Sequence, residues 1–168
     1  MLSKPDRLIL KTDRKIKTLA ELEREISGLK NSGSRIVLTH GVFDLVHPGH
    51  AQYFEEAKSY GDILVVSVID DTFVRKGRGR PIFSHDLRLS WLAALEAVDF
   101  VVLCGYYAAW NVMKAIKPDV YVRGYSLKRG VMKDVATMRD VGGKMVLIPE
   151  MMHSTEIFEV IKKIPIAW

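Results

Sequence analysis

The chain alternates between short continuous apolar runs and longer stretches where apolar residues recur every three or four positions. The first pattern reads as buried strand and the second as amphipathic helix. Leu19, Leu22, Ile26 and Leu29 hold helical spacing behind a Thr18/Glu21 capping box, which predicts a helix over about 19–30. Asn31 to Ser34 turn the chain into a strand that begins Ile36-Val37-Leu38 and breaks at Gly41. Pro48 suits the first turn of a second helix, which continues from Ala51 to Tyr60 and stops at Gly61. Ile63 to Ile69 is a buried strand, and Ser84 caps a helix through Arg88, Trp91, Leu92 and Leu95 to Val98. Further strands are expected at 100–103, at 120–122 ending in Gly124, and at 145–148. Helices are expected at 108–116 and 131–141, with a terminal one opening at Ser154 or Thr155. Residues 1–17 are polar and poorly periodic, so they read as an arm, and 18–168 as one domain.

Strict alternation of strands and helices predicts an α/β fold, a Rossmann-like doubly wound sheet of about five parallel strands with helices on both faces. Ligands in such sheets lie beyond the carboxyl ends of the strands, where the strand order reverses. Gly41, Asp70, Gly124 and the region of His153 each follow a strand, so they converge on one crevice although far apart in sequence.

Composition changes this picture little. At 168 residues the chain suits one well-filled domain, and 48% hydrophobic with 27% charged residues is ordinary for a globular protein. No apolar run approaches the roughly 18 residues that span a bilayer, and the start is charged without an apolar centre. A cytoplasmic, unprocessed chain with no membrane partner is the expectation. The single cysteine, Cys104, excludes an internal disulfide, and its place behind Val101-Val102-Leu103 predicts a buried thiol rather than a nucleophile.

Charge is more informative. The net charge of +5 is local: Arg75, Lys76, Arg78 and Arg80 fall within six residues, and Lys128 and Arg129 follow later. A charge run of this kind is usually a solvated loop, and nucleic acid is the other obvious partner. No aromatic residue is interleaved from Arg75 to Arg80 to stack a base, so a polyphosphate ligand explains the run without nucleic acid.

The chemistry concentrates between Val37 and His50. A strand, a glycine turn and a helix start form a phosphate site, because unpaired amides and the helix dipole face the anion together. His47 and His50, three residues apart around Gly49, can both face one oxyanion. As metal ligands they number two, short of the three or four a zinc site uses, and no metal site is assigned.

This stretch resembles the signature of the cytidylyltransferase-like nucleotidyltransferases, G-x-F-D-x-x-H-x-G-H, at Gly41, Phe43, Asp44, His47, Gly49 and His50. The resemblance extends over about 19–163 and is nearest to the adenylyltransferases that activate heptose 1-phosphate. There a lysine and a basic loop follow the second strand, matched by Lys76-Gly77 and Arg80-Pro81, and an arginine opens the next helix, matched by Arg88. Ala93 to Asp99 also reads very similarly. The resemblance implies transfer of a nucleoside monophosphate from ATP or CTP to a phosphorylated small molecule, with release of pyrophosphate. It implies catalytic roles for His47, His50 and Lys76. Nucleotide contacts are implied for Gly41, Val42, Phe43, Asp44, Gly49, Arg88, Gly124, His153, Ser154 and Thr155, and substrate contacts for Asp71, Arg80 and Arg123. Mg²⁺ held mainly by phosphates and water is the implied cofactor, and a homodimer the implied assembly. Trp91, Tyr106, Tyr107 and Trp110, more aromatics than a small core readily hides, point the same way. For Lys76 the alternative is a solvated side chain, and for Arg88 a pair with a carboxylate such as Asp86.

Three positions depart from the family pattern. The late motif I-S-T-T-x-I reads Met152-His153-Ser154-Thr155-Glu156-Ile157, with His for the first Ser. The stretch after the fourth strand, usually glycine-rich and acidic, reads Arg123-Gly124-Tyr125-Ser126. His40 stands where relatives often carry Asn or Tyr. The last two surround the acceptor pocket, so the acceptor is open between a sugar phosphate and a polyol phosphate such as glycerol 3-phosphate. A catalytically silent nucleotide-binding module and an RNA-binding protein are the competing classes.

Overall fold

A computed structural model describes residues 11–125 and 130–149. Six parallel strands form one sheet: β1 (Ile16–Lys17), β2 (Ile36–Gly41), β3 (Ile63–Ile69), β4 (Phe100–Cys104), β5 (Val120–Gly124) and β6 (Lys144–Ile148). The helices are α1 (Leu19–Asn31), α2 (Pro48–Lys58), α3 (His85–Ala93), α4 (Trp110–Ile116) and α5 (Val131–Asp140). Spatial order is β1-β4-β3-β2-β5-β6. The chain runs outward from β2 through β3 to β4, then crosses back to β5 and β6. The order therefore reverses between β2 and β5, and sheets of this kind bind ligands at that reversal, beyond the carboxyl ends of the strands.

Residue alternation along each strand splits the core in two. Val37, Leu64, Val66, Val68, Val101, Val120 and Val122 face α2 and α3, meeting Phe54, Ala57, Leu89 and Leu92. Ile36, Leu38, Val65, Val102 and Tyr121 face α1, α4 and α5, meeting Leu22, Ile26, Val112, Met113 and Met138. Burial on both faces explains why these strands read as unbroken apolar runs.

The Thr18/Glu21 capping box is present, with both reciprocal bonds made. Two elements differ from the sequence pattern. Ile16 and Lys17, read as part of the arm, pair with Val101 and Val102 as the edge strand β1. Two residues are too few to display a period. Helix α3 ends at Ala93 rather than Val98, because the chain tightens into single i to i+3 bonds at Leu95 and Val98. The Lys15 ammonium donates to the carbonyls of both residues, at 2.9 and 2.6 Å, and satisfies the end of that segment.

Candidate active site

Strand β2 ends at Gly41, and the next two residues turn the chain sharply. Phe43 sits at φ +49°, a backbone region that side chains other than glycine rarely adopt. Its ring lies back over Gly41, where an added Cβ would come within 2.9 Å of the ring tip. Gly41 is thus glycine to admit the Phe43 ring as much as any ligand. That ring meets His50 edge-on at 5.5 Å and Phe54 at 5.1 Å, so it fixes the first turn of α2 from below.

His47 occupies the N-cap position of α2 without a side-chain capping bond, and Pro48 follows at the first helical position. The His47 and His50 rings are 3.9 Å apart between centroids, inclined by 37°. His47 is almost wholly buried and His50 half-buried. Two imidazoles thus stand side by side at the positive end of an eleven-residue helix, beside the switch point. That arrangement suits binding a phosphate oxygen and stabilising charge that develops on it.

Beneath the histidines runs a buried ionic network. Arg88 is 1% exposed and donates to the carbonyls of Val42, Ile69 (2.7 Å) and Phe83 (3.1 Å) and to the Asp71 carboxylate (2.6 Å). Its planar fork reaches the turn after β2, the end of β3 and the segment before α3 at once, which a lysine cannot do. Arg88 pairs with Asp71, not with Asp86. Burial raises the Asp71 pKa, but the Arg88 hydrogen bond, the His85 amide bond (3.1 Å) and both nearby charges leave it below the usual range. Asp44 is 1% exposed and pairs with Arg80, while accepting from the amides of Ile82 (2.7 Å) and Phe83 (3.2 Å). Asp44, Arg80, Asp71 and Arg88, each expected to touch a ligand, are thus brought together to hold the segment 80–85 against β2.

The opposite face of the crevice belongs to the even side of β2. His40 joins Ser67 of β3 through Nδ1 at 3.0 Å, and its Nε2 donates to the Tyr107 carbonyl at 3.3 Å. Burial, together with the positive charge of Arg123, lowers its pKa to about 4, so the ring is neutral at pH 7. Arg123 on β5 pairs with Asp134 of α5, which also accepts from Trp110 Nε1 at 2.8 Å. Burial raises the Asp134 pKa against these two partners. Asp134 and Trp110 carry no sequence signal for this role: they lie 11 and 13 residues from Arg123, on separate helices.

Lys76 lies exposed in the loop 74–81, where Gly77 and Gly79 take φ of +94° and +77°. Val42 supplies its carbonyl to Arg88, and Gly49 lies in the first turn of α2. Gly124 closes β5. His153, Ser154 and Thr155 lie outside the described residues. Among the described residues no three His, Cys, Asp or Glu side chains are grouped to hold a metal ion. Asp44, Asp70 and Asp71 are engaged by Arg80, Thr72 and Arg88. They make no protein cage for Mg²⁺.

A model of the cytidylyltransferase-like family matches residues 38–161, most of the chain and all of this crevice. The chain belongs to that family. It is a nucleotidyltransferase of the cytidylyltransferase-like kind, as the H-x-G-H turn implies. Similar curated proteins include the bifunctional protein HldE of Desulfatibacillum aliphaticivorans, 37% identical over 88% of this chain and 31% of that protein. HldE of Aliarcobacter butzleri (strain RM4018) is 44% identical over 72% of this chain and 26% of that protein. The chain thus spans less than a third of the length of these relatives. Among solved structures, the lipopolysaccharide core biosynthesis protein of Thermoplasma volcanium GSS1 superposes with a TM-score of 0.64 at 32% identity. That match covers 71% of this chain and 100% of the other. Pantoate-beta-alanine ligase of Francisella tularensis, complexed with beta-gamma ATP and beta-alanine, shares the fold at TM-score 0.59 and 16% identity. It covers 82% of this chain and 67% of that one. Among the described residues no helix is long and apolar enough to cross a membrane.

Proposed function

We propose that this chain transfers a nucleoside monophosphate from ATP or CTP to a sugar phosphate such as heptose 1-phosphate, releasing pyrophosphate. The observation that carries this reading is the His47/His50 pair at the start of α2, beside the reversal in strand order. Similarity to HldE proteins and to a lipopolysaccharide core biosynthesis protein supports a sugar phosphate as acceptor.

The reaction is a displacement at phosphorus. An acceptor phosphate oxygen, already ionised at neutral pH, attacks the α-phosphorus of the triphosphate. The new P–O bond forms as the bond to the α,β-bridging oxygen breaks, and pyrophosphate leaves with that electron pair. No strong base is needed, so catalysis reduces to alignment and to stabilising charge on the α-phosphate and the leaving group. His47 and His50 donate to those oxygens, and the amides at the start of α2 add fixed positive potential. Lys76 and the basic loop close over the β- and γ-phosphates. His153, Ser154 and Thr155 contact the nucleotide. Mg²⁺ would come with the triphosphate rather than on side-chain ligands of the described residues, and would neutralise charge on the leaving pyrophosphate. Residues 18–168, together with the edge strand β1, work as one domain in a cytoplasmic homodimer, with no nucleic acid as partner.

One alternative has its own support. The family model is described as cytidylyltransferase-like, which favours CTP and admits a polyol phosphate such as glycerol 3-phosphate. The test is a pyrophosphate-release screen of the four nucleoside triphosphates against phosphorylated sugars and polyols. Release with ATP or CTP and a sugar phosphate supports the reading. A protein that binds triphosphate and releases nothing with any acceptor is a silent module.

A further inference from the structure

The aromatic residues after β4 carry none of the roles assigned above. Tyr106 and Tyr107 are 43% and 48% exposed, yet their rings lie 4.6 Å apart with only 31° between planes. Trp110 props both, at 6.2 and 5.8 Å. It is itself fixed by its bond to Asp134 and by the Lys133 ammonium, 3.7 Å from its ring centre. Phe73, from the loop after β3, meets Tyr106 at 5.7 Å, and the Tyr107 carbonyl accepts from His40. Two tyrosines in water are thus held firmly over the carboxyl ends of β2 and β3. Alternation along the strands places His40, Ser67 and Arg123 on the α4 side of the sheet, and the contacts with His40 and Trp110 put the two tyrosines beside them, whereas Phe43 and its neighbour His50 lie on the α2 side. A transfer between two substrates needs a second subsite of different chemistry, and this is where the fold provides one.

We propose that Tyr106 and Tyr107 form the wall on which the ring of a cyclic sugar phosphate stacks in the acceptor subsite. This inference rests on the nucleotidyl-transfer reading above and specifies its acceptor. A pyranose ring presents a face of C–H bonds, which suits the negative π-face of an aromatic ring, while the phenolic hydroxyls can bond sugar hydroxyls. Arg123 at the end of β5, held by Asp134 of α5, supplies positive charge for the acceptor's phosphate. An acyclic glycerol phosphate has no such face to cover two rings, so the wall favours sugars.

The test is calorimetric titration of the wild type, Tyr106→Ala, Tyr107→Ala and Tyr107→Phe with glucose 1-phosphate, mannose 1-phosphate and glycerol 3-phosphate. A non-hydrolysable triphosphate is present throughout, so no turnover is required. At least one sugar phosphate should bind, with Kd raised about tenfold in the alanine variants and little changed in Tyr107→Phe. Triphosphate affinity should stay constant, and glycerol 3-phosphate should bind weakly to every variant. Unchanged sugar-phosphate affinity in the alanine variants, no binding to wild type, or a parallel loss of triphosphate binding overturns the wall. Conversion of the alanine variants to monomers in sedimentation also overturns it, by assigning the rings to a subunit interface. Tyrosine-dependent sugar binding without any pyrophosphate release would sustain the wall and sink the transfer reading. Normal release at unchanged acceptor KM in Tyr107→Ala would do the reverse.

Discussion

His47 and His50 are the residues proposed to set the rate. If their bonds strengthen as charge moves onto the α-phosphate and pyrophosphate, then His50→Ala should lower kcat by about 10²–10³-fold with a smaller change in KM. Steady-state kinetics checks this, and near-normal turnover would remove the assignment. His40 answers for pH. Its folded pKa of about 4 lies below the ordinary 6.5, so the folded state disfavours the proton that the unfolded chain accepts. The stability it contributes is complete above pH 6.5 and is lost as pH falls from there towards 4. Because the ring keeps some contact with water, the loss should be about 1–2 kcal/mol rather than the full value. Urea unfolding at pH 7 and pH 5 should show this loss in the wild type and a smaller one in His40→Asn. An unchanged pH dependence in the variant would mean that other groups carry it.

At the scale of elements, Arg88 is the tie between β2, β3 and α3. Arg88→Met strands Asp71 and three carbonyls, and should cost about 3 kcal/mol in urea unfolding. Arg88→Lys should recover little of it, because an ammonium cannot span those directions. A loss below about 1 kcal/mol in Arg88→Met would contradict this structural role. The sequence offered two readings of Arg88, a nucleotide contact or a pair with Asp86. Its carboxylate partner is Asp71 instead, which lies 17 residues upstream and is adjacent only because β3 and α3 pack together. Local patterns were readable, as the Thr18 capping box shows, whereas tertiary pairings such as Arg123 with Asp134 leave no periodic trace. The basic loop belongs to the same scale. Gly77 and Gly79, both at positive φ, let Arg75 to Gly79 move over a triphosphate while Asp44 anchors Arg80 at the end of the loop. Trypsin cleavage at Arg75, Lys76 and Arg78 should slow with Mg²⁺ and the correct triphosphate, and that protection should fail in Lys76→Ala. Equal rates with and without nucleotide would leave the loop a bystander.

For the whole molecule, the parallel sheet, its two helical faces and the position of the crevice could be read from alternating apolar runs. The edge strand β1 could not, since two residues carry no pattern. The exposed Trp91, together with Leu87 one helical turn before it, leaves an apolar strip on α3 that suits a second copy of the chain. Sedimentation should give a dimer at micromolar concentration, and Trp91→Glu should give a monomer; a monomeric wild type would contradict the assembly. The central claim is nucleotidyl transfer itself, and the most direct measurement follows the α-phosphorus. With α-³²P-labelled ATP or CTP and a sugar phosphate acceptor, the label should appear in a nucleoside-diphosphate sugar in step with unlabelled pyrophosphate, and His50→Ala should suppress both. Label recovered only as free nucleotide, or retained in the triphosphate with every sugar phosphate, would contradict the account.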